Sequence, residues 1–381
     1  MNYSEEWHII ETEGILFHIP TSNIFKVEPV LSGVLKKIFN GESLDLIRDQ
    51  YKIADNDIHN FFNKIYNVIN KTPIAKFIDS EEAIDEISLT LNVANICNLR
   101  CNYCAVNYGK YQTFDEPEIM GTETAIMAVD YFKNYFKISS ILFYGGEPLL
   151  NPKVISDVCK HVTDKKMGSS FALVTNGTIL NDEIIKLINK YKINTSVSID
   201  GPASINDRLR KYSDGNGTFD DIISNVKKIR ENCNQGNRVL ATYTEEHKNL
   251  GISIPELTSF LIDKLSFNAC TISPEKRKTQ REFCKNEELI SSQIINDFEI
   301  DEHINTVIDS MLTDYPIFSL DICDKILSFI LKEHNQYHCK IARGTFVVNT
   351  SGNIYPCQEY VTPQWVMGNI YMKENFIKTK E

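Results

Sequence analysis

Between residues 87 and 273 six apolar β-type runs alternate with stretches of helical spacing, and this alternation constrains the fold more than any other feature of the chain. The runs are 87–94, 139–144, 170–174, 194–199, 238–243 and 268–273. Residues 122–135, 154–163, 182–191, 219–232 and 254–264 carry helical periodicity between them, the last opened by Pro255 in its first turn. Strands joined by right-handed helical crossovers build a parallel sheet, so the spacing predicts an α/β fold, a partial (β/α)6 barrel of the TIM type. In such barrels the C-terminal strand ends meet on one rim, and the chemistry sits there.

The candidate motifs all fall at those ends. The first run is followed by Cys97-Asn98-Leu99-Arg100-Cys101-Asn102-Tyr103-Cys104. Three thiolates at C-x3-C-x2-C spacing can hold three irons of a cubane cluster. A cubane normally takes four thiolates, so one iron stays open to a small molecule. A zinc knuckle would want paired Cys or Cys/His mixtures, and no His or fourth Cys lies close by. A disulfide is disfavoured without a secretion signal, and a buried thiol cluster is the remaining alternative. The second run ends in Gly145-Gly146-Glu147-Pro148. Two glycines let backbone approach a ligand closely, and their carbonyls with the Glu147 carboxylate can accept from an ammonium; the bland alternative is a turn before a helix. The fourth run places Ser198 and Asp200 two residues apart on one strand face, where hydroxyl and carboxylate suit a ribose diol; the alternative is a surface-facing strand end.

The cysteine spacing, with aromatic Tyr103 before the last Cys, resembles the signature of the radical S-adenosylmethionine (SAM) enzymes. The resemblance implies a 4Fe–4S cluster on Cys97, Cys101 and Cys104, with the SAM amine and carboxylate on the open iron. One-electron reduction then cleaves SAM to a 5′-deoxyadenosyl radical that abstracts hydrogen. It also implies cofactor contacts from Tyr103, from Gly145, Gly146 and Glu147 toward the SAM amine, from Thr175 and Asn176, and from Ser198 and Asp200 toward the ribose. Asp207-Arg208-Leu209-Arg210 with 215–220 (Gly-Asn-Gly-Thr-Phe-Asp) resembles a stretch of the peptide-modifying branch, which makes Arg210 the candidate for the SAM carboxylate. The family's usual His before that Asp is Asn206 here. Residues 241–244 resemble a stretch of thioether-forming maturases.

The flanks divide from the barrel. Residues 1–72 read as three short strands followed by three helices, a winged-helix-like α+β domain; the third helix carries Ile58, Phe61, Phe62, Ile65, Tyr66 and Ile69 on one face and only Lys64 as a base. This order resembles the PqqD-type domains that bind the leader of a precursor peptide; an inert cap is the alternative. Residues 73–86 read as a linker, 87–300 as the barrel and 301–381 as a small C-terminal cluster-binding extension. There Cys339, Gly352 and Cys357 fit C-x12-G-x4-C, which resembles the opening of a SPASM/twitch extension with auxiliary 4Fe–4S clusters. No Cys follows Cys357, so this extension reads as incomplete. Cys159, Cys233, Cys270, Cys284 and Cys323 have no partner spacing; Cys159 and Cys323, in helical segments, read as core thiols, while Cys270 on the sixth run has the option of facing the barrel.

Composition narrows the partners. A net charge of −11 argues against nucleic acid, and no apolar run is long enough to span a membrane. Ten cysteines behind an acidic, polar N-terminus point to a reducing cytoplasm. The expected activity is modification of a ribosomally made precursor peptide by a Cys thioether crosslink, fed by an electron donor such as flavodoxin or ferredoxin. The alternatives are a formylglycine-type or carbon–carbon crosslinking maturase and, from another class, a peptide-binding protein with a structural cluster. A winged-helix redox regulator is disfavoured by charge and by the six-strand pattern.

Overall fold

The computed structural model describes residues 7–10, 15–18, 21, 23–52, 55–71, 76–78, 85–111, 118–233, 238–275, 333–335 and 344–372. The chain divides into two compact units, Met1–Glu82 with Asp324–His338, and Ala83–Cys323 with Cys339–Glu381.

In the first unit β1 (Trp7–Ile10), β2 (Ile15–His18) and β3 (Asn23–Lys26) form an antiparallel sheet in that order. Helices α1 (Pro29–Phe39), α2 (Leu44–Tyr51) and α3 (Asp55–Ile69) follow. Phe61, Phe62, Ile65 and Ile69 of α3 pack with Trp7, Leu16, Val27 and Leu35, so the apolar face read from the sequence is the buried one. The stretch expected as a linker carries a strand, β4 (Lys76–Ile78), paired in parallel with β11 (Glu333–Asn335). Local patterning misses it because its partner is remote in sequence.

The second unit holds the barrel. Strands β5 (Glu86–Ala94), β6 (Lys137–Gly145), β7 (Ser170–Thr175), β8 (Asn194–Ser198), β9 (Arg238–Tyr243) and β10 (Ala269–Pro274) pair in parallel, each with the next. Between them run α4 (Thr122–Lys133), α5 (Pro152–Asp164), α6 (Asp182–Tyr191), α7 (Ala203–Leu209), α8 (Phe219–Asn232), α9 (Glu245–Asn249) and α10 (Ile254–Ser259). The period of two sorts each strand's side chains. Leu89, Leu91, Val93, Ile141, Phe143 and Leu173 pack into one core with Ile155 and Val158 of α5, each burial contributing roughly 1.5–3 kcal/mol. On the other face of β5 and β6, Ser88 and Ser140 hydrogen-bond at 2.7 Å. Cys159 is a core thiol as expected. Cys270 is buried among Val197, Ile199 and Leu261, while its neighbour Thr271 lines the cavity on the opposite face; strand alternation turns Cys270 away from the barrel.

Residues 344–372 depart from the expectation of a discrete extension. They add β12 (Thr345–Val348) in parallel beside β5, then β13 (Asn353–Tyr355) and β14 (Gly368–Asn369), giving the order β10-β9-β8-β7-β6-β5-β12-β13-β14. Phe346 packs 5.2 Å from Phe132 of α4, ring to ring, and Val348, Ile354 and Ile370 join the same core. Val347 points the other way, against Tyr111, Tyr355 and Val361. Buried on both faces, β12 behaves as a central strand. Among the described residues the sheet is open, with β10 and β14 at its edges, and no helix is long and apolar enough to cross a membrane.

Candidate active site

The cysteine loop leaves the end of β5 and is pinned from a distance. The Arg100 N–H donates to Lys211 O at 2.7 Å and the Asn102 N–H to Leu209 O at 3.1 Å. The Arg100 guanidinium bonds the carbonyls of Cys97 and Leu99, each at 2.8 Å, and lies over the Tyr108 ring. Cys97, Cys101 and Cys104, all half-buried, line one cavity of about 370 Å³. Burial pushes the Cys97 thiol up and the Cys101 thiol up to about 12, against the pull of Arg210. Metal coordination removes such a proton outright. N–H groups already aim at two of the sulfurs: Leu99 N lies 3.4 Å from Cys97 Sγ, and Tyr108 N 3.1 Å from Cys104 Sγ. Bonds of this kind tune a cluster's potential. Among the described residues no three His, Cys, Asp or Glu converge on a single metal ion. The donor set fits a three-thiolate cluster with one open iron.

Gly145 and Gly146 also line the cavity, but their lack of a side chain serves the cysteine loop first. A β-carbon on Gly145 would lie 2.3 Å from Ala94 O, and one on Gly146 2.1 Å from Ile96 O. Gly146 N donates to Ala94 O at 2.7 Å and Glu147 N to Ile96 O at 2.9 Å, so the end of β6 lies directly on the loop. Glu147 is fully buried and off the cavity wall. Its Oε1 accepts from Leu149 N (3.0 Å) and Thr175 Oγ1 (2.8 Å), and its Oε2 from Asn176 N (2.7 Å). Burial pushes its carboxyl up against these bonds. The carboxylate ties β6 to β7, and Oε2 keeps one acceptor position. Thr175 and Asn176 line the cavity; Asn176 Nδ2 lies 3.7 Å from Cys97 Sγ and 2.8 Å from Asn98 Oδ1.

The expected ribose pair separates. Ser198 lines the cavity, whereas Asp200 is fully buried off its wall. Asp200 Oδ2 accepts from Arg210 Nε (2.9 Å) and Tyr103 Oη (2.5 Å), and Oδ1 from Thr242 N (2.9 Å). An arginine, a phenol and a main-chain amide claim the carboxylate, so a diol is left with Ser198. Arg210 and Tyr103 themselves reach the cavity. Burial pulls the guanidinium pKa down, but Asp200, Tyr103 and Cys101 outweigh it and hold it above its ordinary value. Arg210 spends Nε and one terminal nitrogen on Asp200. Its charge stands beside Cys101.

The string around Arg210 proves to be a folding device. Asp207 Oδ1 accepts the N–H groups of Thr218 and Phe219, both at 2.8 Å, and so caps α8. A β-carbon on Gly217 would lie 2.3 Å from Asp207 Cγ, so only glycine leaves room for that cap. Asn206, in the place of the family's His, accepts from Asp200 N (3.3 Å) and donates to Thr218 Oγ1 (3.2 Å). Thr218 Oγ1 in turn donates to Arg210 O at 3.0 Å.

Sequence reasoning passed over Tyr144, Gln358, Glu359 and His247. Tyr144 lines the cavity, its phenol pushed up to about 12 by burial and by Glu359. Gln358 and Glu359 reach it from a 3-10 turn, Gln358–Tyr360, whose first turn is capped by Cys357 Sγ accepting from Glu359 N at 3.3 Å. No local motif marks them, because β12 and β13 bring them there. Cys357 is half-buried; Cys339 lies outside the described residues.

The radical SAM superfamily model matches residues 91–247. An uncharacterised protein of Methanocaldococcus jannaschii is 30% identical over 273 residues, 71% of this chain and 84% of that protein. The radical SAM cyclopropyl synthase TigE of Paramaledivibacter caminithermalis is 29% identical over 61% of this chain and 55% of its own length. A cysteine-type anaerobic sulfatase-maturating enzyme of Clostridium novyi is 24% identical, with 73% and 74% covered. Two solved structures share the fold. anSMEcpe with bound AdoMet has a TM-score of 0.61 at 21% identity, covering 76% of this chain and 79% of that one. Streptococcus suis SuiB bound to precursor peptide SuiA has a TM-score of 0.54 at 12% identity, covering 97% and 85%. The thiol loop and the charged wall beside it lie inside the matched span: residues 91–247 form a radical SAM domain, of the superfamily whose enzymes work with a 4Fe–4S cluster and S-adenosylmethionine.

Proposed function

We propose that this enzyme forms a thioether between a cysteine sulfur and a carbon of a ribosomally made precursor peptide, whose leader the first unit binds. The observation that carries the reading is a single cavity walled by Cys97, Cys101 and Cys104 on one side and by the Arg210 cation beside them. The bound cofactors supply one-electron cleavage of SAM and, with it, hydrogen-atom abstraction. The protein's work is placement. Arg210 pairs with the SAM carboxylate. The carbonyls of Gly145 and Gly146 on the cavity wall receive its amine, with Glu147 buried beside them. The Ser198 hydroxyl bonds the ribose, and Leu142, Val174 and Leu240 on the cavity wall exclude water. Joining C–H to S–H as C–S removes two hydrogens, one as an atom and one as a proton whose electron passes to an acceptor. An external carrier such as a flavodoxin or ferredoxin supplies the electron for the first cleavage and, in its oxidised form, takes up the electron released at bond closure. The three-stranded sheet of the first unit offers edges for leader addition as a further strand.

The likeness to sulfatase-maturating enzymes and to a cyclopropyl synthase supports a second reading, a formylglycine-type or carbon–carbon-forming maturase. The test is anaerobic coexpression with a neighbouring Cys-containing precursor, read by intact peptide mass and by thiol alkylation. A loss of two hydrogens with the thiol blocked supports the thioether. The same loss with a free thiol points to carbon–carbon closure, and loss of sulfur to formylglycine. Cys97→Ala, Cys101→Ala and Cys104→Ala should each abolish SAM cleavage; survival of cleavage in any of them rejects the cluster assignment.

A further inference from the structure

Asp200 is held by its main chain as well as by its carboxylate. Its carbonyl lies 2.7 Å from Nε2 of His247, a fully buried residue on α9 just past the end of β9. The other ring nitrogen, Nδ1, lies 3.1 Å from Thr244 N and 3.1 Å from Thr244 Oγ1. A main-chain N–H can only donate, so Nδ1 accepts and carries no proton. The proton therefore sits on Nε2 and is donated to the Asp200 carbonyl. The ring also packs on Tyr243, centroids 5.0 Å apart. Both nitrogens are thus spent on joining the ends of β8 and β9, and His247 is off the cavity wall. Burial lowers its pKa, which favours the neutral ring this geometry needs. Beyond Asp200 the chain of contacts is short: its carboxylate holds Arg210, Tyr103 and Thr242 N.

We propose that His247 is a positioning residue, which fixes Asp200 through its carbonyl and thereby aims the Arg210 guanidinium at the carboxylate of SAM. This rests on the reading of Arg210 given above. The loss of one buried hydrogen bond leaves the Asp200 carbonyl unsatisfied and lets the turn that carries its carboxylate shift, taking Arg210 with it. The effect belongs on cofactor affinity, in the way outer-shell partners tune a site.

The test uses the cluster-loaded full chain and measures the SAM dissociation constant, the KM and kcat of SAM cleavage, iron content and the unfolding midpoint. His247→Phe keeps a ring and removes the donor; it should weaken SAM binding about tenfold, with KM raised more than kcat is lowered. His247→Gln, whose amide can donate to the same carbonyl, should recover most of that affinity. If His247→Phe does not load iron, His247→Asn, too short to reach the carbonyl, replaces it with the same expectation. Arg210→Gln calibrates the assay. SAM affinity unchanged in the His247 variants, beside a weakened Arg210→Gln, overturns the positioning role alone. Wild-type affinity in Arg210→Gln overturns the reading of Arg210 and the role of His247 with it. A fall in midpoint that His247→Gln restores without restoring affinity assigns His247 to stability only and also overturns the proposal.

Discussion

A methyl group on Gly146 would sit 2.1 Å from the Ile96 carbonyl oxygen, main chain against main chain, with no flexible side chain to give way. Gly146→Ala must push the end of β6 off the cysteine loop. Displacements of about 1 Å near reacting groups cost roughly a hundredfold in rate, so SAM cleavage should fall by that order. Iron content measured beside the rate tells whether the loop still loads its cluster. At this scale the thiols, the glycines and Arg210 could be singled out because their chemistry is unusual and their spacing is local, and the structure brings them to one cavity. Asp200 was misplaced for the opposite reason. Whether a carboxylate meets a sugar hydroxyl or a guanidinium depends on where a residue ten positions on comes to rest, and α7 turns Arg210 back onto it at 2.9 Å. Glu147 was visible as an acid, but its three protein donors were not.

Helix α8 begins on a borrowed cap. Its first N–H groups are satisfied by Asp207 from the preceding helix, not by a residue of its own N-terminus. Asp207→Ala removes both acceptor bonds, and a lost cap of this kind costs about 1 kcal/mol. The same change loosens the loop between α7 and α8, whose carbonyls at Leu209 and Lys211 pin the cysteine loop. Denaturant unfolding should therefore show the loss of stability, and SAM cleavage a raised KM, with Asp207→Asn intermediate in both. The strands β5 to β10 were readable because each pairs with its sequence neighbour and shows one apolar face. β12 was not: Thr345-Phe346-Val347-Val348 is a brief apolar run, and its place beside β5 follows from pairing across most of the chain. With it came Gln358 and Glu359 on the cavity wall.

The whole chain holds two units with separate cores, and the functions proposed for them are separable. Removing residues 1–71 while keeping β4 and β11 should leave SAM cleavage intact and sharply reduce peptide modification, both read in one anaerobic assay. Loss of both together would mean that the first unit supports the barrel and does not recruit the leader. The net charge of −11 argued against a nucleic-acid partner, and the strand–helix alternation pointed to a parallel α/β fold. By itself the sequence determined the six-strand order, the rim on which the candidate motifs collect and the three-thiol loop at its first strand end, since period, crossover handedness and motif spacing are short-range properties. Only the tertiary structure decided that residues 344–372 complete the sheet, that Asp200 serves Arg210 and that His247 stands behind both. Those outcomes depend on which distant groups become neighbours once the core closes, and a buried donor or acceptor takes whichever partner the packing brings within about 3 Å.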